Sequence, residues 1–429
     1  MRLSYLLTFC CFILFKFEII QLITKNLNMK HILLNNKSSV AYDDSNPEDI
    51  KVFIDNKEHD FKDSTENRID YAIAIKRNKY AKTLNHQFEN LVLLTGAGSS
   101  IDWGVDGKVG QSMVNLWDGV ELELGTELFS KLLDVIKYND KWPDESIVKN
   151  LEKVLSMATP AIPYIDEAII DLSDCVNRIK QFIKNACMLD LPDDAPHSIL
   201  LNKMTKRKVT LPRFRLFTLN YDTMFEQAAS RNNFTVIDGF SFGIPRVFSG
   251  RNFDYDIVSR NQSRVKEEDN FIEKVFHLYK LHGSVNWEKI DNKIYQREGI
   301  ESPLMIYPHQ SKYESSYEQP YFEMMSRFQN SLRKENVFLI TIGFSFGDKH
   351  IVTSIIEALE QNPSFQLLII NRSIDESNVN LKPFIEAANK YSNISIVAET
   401  FEDFANNYPD LQTYNHDTNK QIIINLPTA

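Results

Sequence analysis

Apolar side chains along this chain fall into two recurring patterns. Short unbroken runs at residues 91–94 (LVLL), 337–342 (VFLITI) and 367–370 (LLII) have no polar alternate face. Such runs fit strands covered on both sides in a parallel sheet. Residues 214–219, 234–237, 275–281, 304–307 and 394–397 read as further strands. Apolar residues at helical spacing follow several of them, over 321–334, 348–359, 382–391 and from 402 onward. This alternation predicts an α/β fold, a Rossmann-like doubly wound parallel sheet with an inserted helical module.

The insert is the stretch 110–207, where strand alternation is absent. Met113, Leu116 and Trp117, then Leu128, Leu132, Leu133 and Ile136, then Ile147, Leu151, Val154 and Leu155 recur at helix spacing. Residues 165–189 read as one long helix, and Pro160, Pro163, Pro192 and Pro196 punctuate the segment. Before the first strand, Ile69, Ala72, Ile73, Ile75 and Tyr80 mark an amphipathic helix over 66–89. Residues 36–66 read as a loose polar lead-in, 250–274 as a charged surface excursion and 287–297 as a hairpin. The expected organisation is an N-terminal extension at 1–65, a nucleotide-binding domain at 66–109 and 208–405, the insert at 110–207, and a C-terminal tail at 406–429.

Composition narrows the function classes. The chain has 429 residues, 43% of them hydrophobic and 25% charged, as in ordinary globular proteins. Its formal net charge of −10 argues against a broad grip on phosphate backbones, so no direct nucleic-acid partner is expected. The four cysteines, Cys10, Cys11, Cys175 and Cys187, include no C-x-x-C pair, so no four-thiolate zinc site is expected, nor any other metal. That usage fits a reducing compartment and a cytoplasmic location. The apolar run at 4–15 leaves a signal peptide as the minor alternative, but it is short for a membrane span and Lys16 and Glu18 follow it at once. Residues 1–28 are read as an upstream extension or a disordered tail, with a normal polar segment beginning at Met29.

Candidate chemistry lies just after the strands, where ligands bind in such sheets. Thr95-Gly96-Ala97-Gly98-Ser99-Ser100 follows the first buried run. Its small residues let backbone approach a ligand closely, and a helix starting there would point its dipole at a diphosphate. Tight packing accounts for the two glycines equally well. Asn220 and Asp222 follow the strand at 214–219; Asp222 is read either as a helix cap or as a working carboxylate. His282 ends an apolar strand and is followed by Gly283, so its ring can reach an open cleft as a base or as a partner for a hydroxyl. Gly343 and Ser345 follow 337–342, Asp348 is a cap or a ligand contact, His350 a surface or helix residue, and Asn371 follows the strand at 367–370.

The ordered set GAGSS, TLNYD, KLHGS, GFSFGD and LLIIN resembles the sirtuin-like NAD-binding superfamily over roughly residues 88–400. It is most similar to bacterial sirtuin-like NAD hydrolases of antiphage defence. The resemblance implies that Gly96, Ala97, Gly98 and Ser99 cradle the diphosphate. Asn220 and Asp222 would stand at the nicotinamide ribose, with Asn220 placing the attacking water, and His282 would be the catalytic histidine. Gly343 and Ser345 would hold the phosphate and adenosine side, and Asn371 the adenosine ribose. The implied activity is cleavage of NAD⁺, as substrate, to nicotinamide and ADP-ribose. A protein deacylase, an ADP-ribosyltransferase and a non-catalytic NAD⁺- or ADP-ribose-sensing module are the alternatives. The zinc-ribbon cysteines of the deacetylases are missing, and Trp103-Gly104-Val105 stands where they carry a Phe-Arg pair. An unregulated NAD⁺ hydrolase would harm its own cell. A homo-oligomer, or a partner protein such as a hexameric ATPase, is therefore expected to gate it, with 110–207 as the assembly surface.

Overall fold

A computed structural model describes residues 29–61, 67–86, 88–142, 144–208, 210–258, 271–305 and 319–411. The readings made for residues 1–28, for 306–307 and for most of the tail lie outside these.

The unbroken apolar runs form the centre of the sheet. Strands β5 (Asn90–Thr95), β11 (Val275–Lys280) and β14 (Val337–Ile342) are buried at every position. With β8 (Arg215–Thr218), β9 (Thr235–Ile237), β15 (Gln366–Asn371) and β16 (Ile394–Ala398) they pair in parallel in the order β16-β15-β14-β5-β8-β11-β9. The order reverses between β5 and β14. From β5 the chain next adds β8 on one side, and it returns much later to place β14 on the other. That reversal makes the crevice beyond the C-terminal ends of β5 and β14 the ligand position in this class of sheet. The doubly wound α/β fold expected from the sequence is present.

Alternation within each central strand feeds two cores. Leu91 and Leu93 pack on one face with Leu216, Leu278 and Ile340; Val92 and Leu94 pack on the other with Phe217, Tyr279 and Leu339. The sheet is also larger than expected. Strands β1 (Lys30–Asn35), β2 (Ser38–Asp43), β3 (Lys51–Ile54) and β4 (Lys57–Glu58) extend it antiparallel beyond β16 to eleven strands. The lead-in expected at 36–66 thus contains three of these strands. Val40 and Val52 are fully buried in the first core, which anchors these strands by apolar contact. The hairpin at 287–297 is present as β12 (Trp287–Ile290) and β13 (Lys293–Gln296).

Helix α1 (Arg68–Leu84) starts at Asn67, whose side chain accepts from the Ile69 and Asp70 amides. Its buried positions Ala72, Lys76, Tyr80 and Leu84 repeat every four residues, so one stripe faces the sheet. The insert contains α2 (Met113–Leu124), α3 (Thr126–Val135), α4 (Leu151–Ala161) and α5 (Leu172–Cys187), with a core built on Trp117, Phe129, Leu132, Leu155 and Ile179. The long helix expected over 165–189 is shorter. Asp171 accepts from the Asp174 amide and caps α5, while Ile169 and Ile170 turn back onto the Asp166 carbonyl. Helix α6 (Pro196–Met204) buries Leu200, Leu201 and Met204 in the first core of the sheet and not in that of the insert. Among the described residues no helix is long and apolar enough to cross a membrane.

One buried charge cluster ties α1 to the end of β16. The Glu399 carboxylate lies 3.2 Å from Lys76 Nζ and accepts from the Tyr80 hydroxyl at 2.6 Å and from Asn407 Nδ2 at 3.2 Å. Lys76 also donates to the Ala398 carbonyl at 2.8 Å. Both side chains of the pair are almost wholly buried, so removing one charge strands the other in a medium that solvates it poorly. Glu399→Ala is expected to cost about 3–5 kcal/mol of stability. Denaturant unfolding measures this, and a loss of well under 1 kcal/mol would contradict the cluster's role.

Candidate active site

The two loops that leave β5 and β14 touch backbone to backbone. The Gly96 amide donates to the Ile342 carbonyl at 3.1 Å and the Gly98 amide to the Gly343 carbonyl at 3.0 Å. A Cβ on Gly98 would lie 2.6 Å from Gly343 Cα, and Gly343 itself has φ +60°. Packing therefore demands glycine at both positions. No α-helix follows this turn. Residues Ala97–Ser99 form a single 3-10 turn, a short hairpin follows (β6, Gly104–Val105; β7, Lys108–Val109), and α2 starts only at Met113. The helix-dipole argument made from sequence does not apply here. The amides of Gly96, Gly98 and Ser99 are committed within the protein, Ser99 donating to the Gly96 carbonyl. What the turn offers a ligand is space and close backbone approach.

Ser99 is the one residue expected at the site that does not line the crevice. It is fully buried behind it, donating from Oγ to the Gly96 carbonyl at 2.9 Å. Its neighbour Ser100, which sequence reasoning passed over, does line the cavity. Asn220 Nδ2 donates to Ser100 Oγ at 2.8 Å and to Ser99 Oγ at 3.1 Å. Both amide hydrogens are thereby used, and Oδ1 is the atom with which Asn220 can accept a hydrogen bond from water or ligand. Ser100 Oγ in turn donates to Asp222 Oδ2 at 2.7 Å. Asp222 also accepts from the Met224 amide at 3.1 Å, at the start of α7 (Met224–Arg231), and its own carbonyl receives the buried Lys280 ammonium. Asp222 thus stands just before the cap residue Thr223, lines the cavity and fixes Asn220 through Ser100.

His282 lies at the end of β11 and is 4% exposed. Its Nε2 is 3.1 Å from Asp348 Oδ2. Asp348 also caps α9 (Lys349–Gln361), accepting from the His350 and Ile351 amides, so its cap and ligand-side readings merge: one carboxylate starts the helix and holds the imidazole. Burial alone would lower the His282 pKa; the Asp348 hydrogen bond and charge, with Glu152, outweigh it, and the net shift is upward. Asp348 moves oppositely: burial would raise it, but the His282 ring and two backbone amides bring it below the usual carboxylate range.

These groups share one cavity of about 1040 Å³, at the upper end of the ~300–1,000 Å³ common for small-molecule sites. Gly96, Ala97 and Gly98 line it from β5, Asn220 and Asp222 from β8, and His282 from β11. Gly343, Ser345 and Asp348 line it from β14, and Asn371 with Arg372 from β15. His350, read as a surface or helix residue, is exposed at the rim of the same cavity. The insert closes one side through Asn150, Glu152, Lys153 and Ser156 of α4. Among the described residues no group of three or more His, Cys, Asp or Glu is placed to hold a metal ion.

A family model described as the SIR2-like domain matches residues 215–396, the span from β8 to β16 that carries Asn220, His282 and Asn371 but not the glycine turn. No curated protein sequence matches the chain significantly. Among solved structures, the chain is similar to a Sir2 homologue in complex with NAD, at 15% identity and a TM-score of 0.33, over 82% of this chain and 94% of that one. It is also similar to a mutant Sir2 homologue in complex with ADP-ribose, at 14% identity and a TM-score of 0.36, over 77% and 94% of the two chains.

Asp348→Asn keeps the helix cap, since asparagine caps well, and removes the negative charge beside His282. The imidazole titration midpoint, followed by NMR, is expected to fall. The sign for stability follows from the directions of shift. A histidine with a raised pKa stabilises the fold fully below its unfolded value of about 6.5, and that gain disappears as pH rises through the raised value. An aspartate with a depressed pKa stabilises it above its unfolded value, and that gain disappears as pH falls through the depressed one. The stability difference between wild type and Asp348→Asn should therefore shrink at both ends of that window. An unchanged His282 midpoint would contradict the pairing.

Proposed function

We propose that this protein is an NAD⁺ hydrolase that cleaves the bond between nicotinamide and ribose C1′, releasing nicotinamide and ADP-ribose. The observation that carries this reading is the meeting of Asn220, His282 and the Gly96–Gly98 turn on one cavity at the point where strand order reverses. In that reaction the C1′–N bond breaks with its electron pair leaving on nicotinamide. Positive charge builds on the ribose, and water adds at C1′ with loss of a proton. Asn220 Oδ1 orients the water, and His282, held by Asp348, takes a proton from the water or a ribose hydroxyl. The Gly96–Gly98 and Gly343 backbones leave room for the diphosphate, with Ser345 and Asn371 toward adenosine. We extend the reading to a gated defence effector, because constant NAD⁺ cleavage would deplete its own cell. A homo-oligomer or an ATPase partner is the expected gate.

Purified protein, in its activated state, should release nicotinamide from NAD⁺ with no acyl-lysine peptide present. His282→Ala and Asn220→Ala should each lower that rate by about 10²–10⁴-fold while circular dichroism stays native. Release only in the presence of an acylated peptide would favour deacylation. NAD⁺ binding without turnover, unaffected by either substitution, would favour a sensing module.

A further inference from the structure

We propose that the helical insert supplies a working group to this site: Glu152, at the start of α4, is the cavity-side charge partner of His282 and is held there by the Tyr221 hydroxyl. The consequence for catalysis rests on the hydrolase reading above; the placement does not.

Helix α4 has two faces with different duties. Leu151, Val154, Leu155 and Ala158 are buried in the core of the insert. Glu152, Lys153, Ser156 and Met157 line the cavity. The apolar stripe fixes the rotation of the helix, because turning it by one position would drive the Glu152 carboxylate into that core. Asn150 caps the helix, its side chain accepting from the Lys153 amide at 3.0 Å, so the first turn is held as well.

Glu152 Oε1 accepts from the Tyr221 hydroxyl at 3.0 Å. Tyr221 stands between Asn220 and Asp222. Its carbonyl receives the Val285 amide at 3.0 Å and Ser284 Oγ at 3.2 Å, on the loop that follows His282. Its ring centroid is 6.4 Å from that of His282. One tyrosine thus joins the insert, the Asn220 loop and the His282 loop.

His282 is bonded by Asp348, the cap of α9, and shares its cavity with Glu152 of α4, and both carboxylates act on its charge in the same direction. Burial, and after it the Asp348 charge, raises the pKa of Tyr321, the first residue of α8 (Tyr321–Leu332). The cations lining the same cavity are Lys153, Lys349 and Arg372. Burial raises the Glu152 pKa and the Asp348 charge adds to this; the His282 charge and the Tyr221 hydroxyl offset only part of it, and the net shift is upward. A carboxylate so placed is matched to the positive charge that builds on ribose as nicotinamide leaves. Glu152 is therefore a positioning and charge-stabilising residue delivered by the insert.

The test uses the full chain with Glu152→Gln, which keeps the acceptor for Tyr221 and removes the charge. Without ligand, the His282 imidazole should titrate at lower pH than in wild type. With NAD⁺, the rising limb of kcat/KM against pH should move to lower pH in step, and its plateau should fall by about 100-fold, the scale of losing one charge-stabilising group. Tyr221→Phe, which frees the carboxylate but retains it, should shift the midpoint in the same direction by less, and it stands in if the first variant folds poorly. A His282 midpoint unmoved in both variants would overturn the proposal. If wild type in its activated state releases no nicotinamide, the hydrolase reading fails while the ligand-free titration still decides the role of Glu152.

Discussion

The contact on which this site depends is made of backbone alone. Where β5 and β14 end side by side, the Gly98 and Gly343 main chains come so close that neither tolerates a Cβ. That approach brings together loops from the two halves of the sheet, which are some 245 positions apart in sequence (343 − 98). Packing and ligand space are usually set against each other as explanations of a glycine turn. Here one geometry supplies both, since glycines that let two loops touch also leave the crevice above them free of side chains. A polar wall then stands on that floor.

Three polar side chains in the wall, Ser100, Asn220 and His282, are each held by another motif. Asp222 fixes Ser100, Ser100 and Ser99 fix Asn220, and Asp348 fixes His282. The donors and acceptors in each pair come from loops after different strands. A slip in any one strand would disorder the rest, which is how a rigid sheet positions groups within the tolerance that catalysis requires. The insert joins this network through Glu152 and Tyr221 and is thus part of the cavity wall.

Much of this was legible in the sequence, for physical reasons that also mark where legibility stopped. The runs LVLL, VFLITI and LLII could be read as central strands because burial on both faces removes polar residues altogether. The polar motifs could be placed because they come directly after such runs. The strands β1–β4 escaped because they are half polar and antiparallel. A local signal was present: Ile54-Asp55-Asn56-Lys57 repeats as Ile290-Asp291-Asn292-Lys293, and in both copies Asp and Asn take positive φ in a two-residue hairpin turn. The second copy was read as a hairpin and the first was not. Glu152 escaped for a different reason. Periodicity shows which face of α4 is apolar but not what its polar face looks upon. Asp348 and Ser100 were ambiguous because a cap or a small turn residue looks the same in sequence whether or not it also holds a neighbour's side chain.

The most direct measurement of the central claim is a crystal structure of the protein soaked with ADP-ribose. The account predicts the diphosphate against the Gly96–Gly98 turn and Gly343, with the ribose that bears the anomeric carbon between Asn220 and His282. ADP-ribose bound elsewhere on the molecule, or lying in this cavity with that ribose turned away from His282, would contradict it.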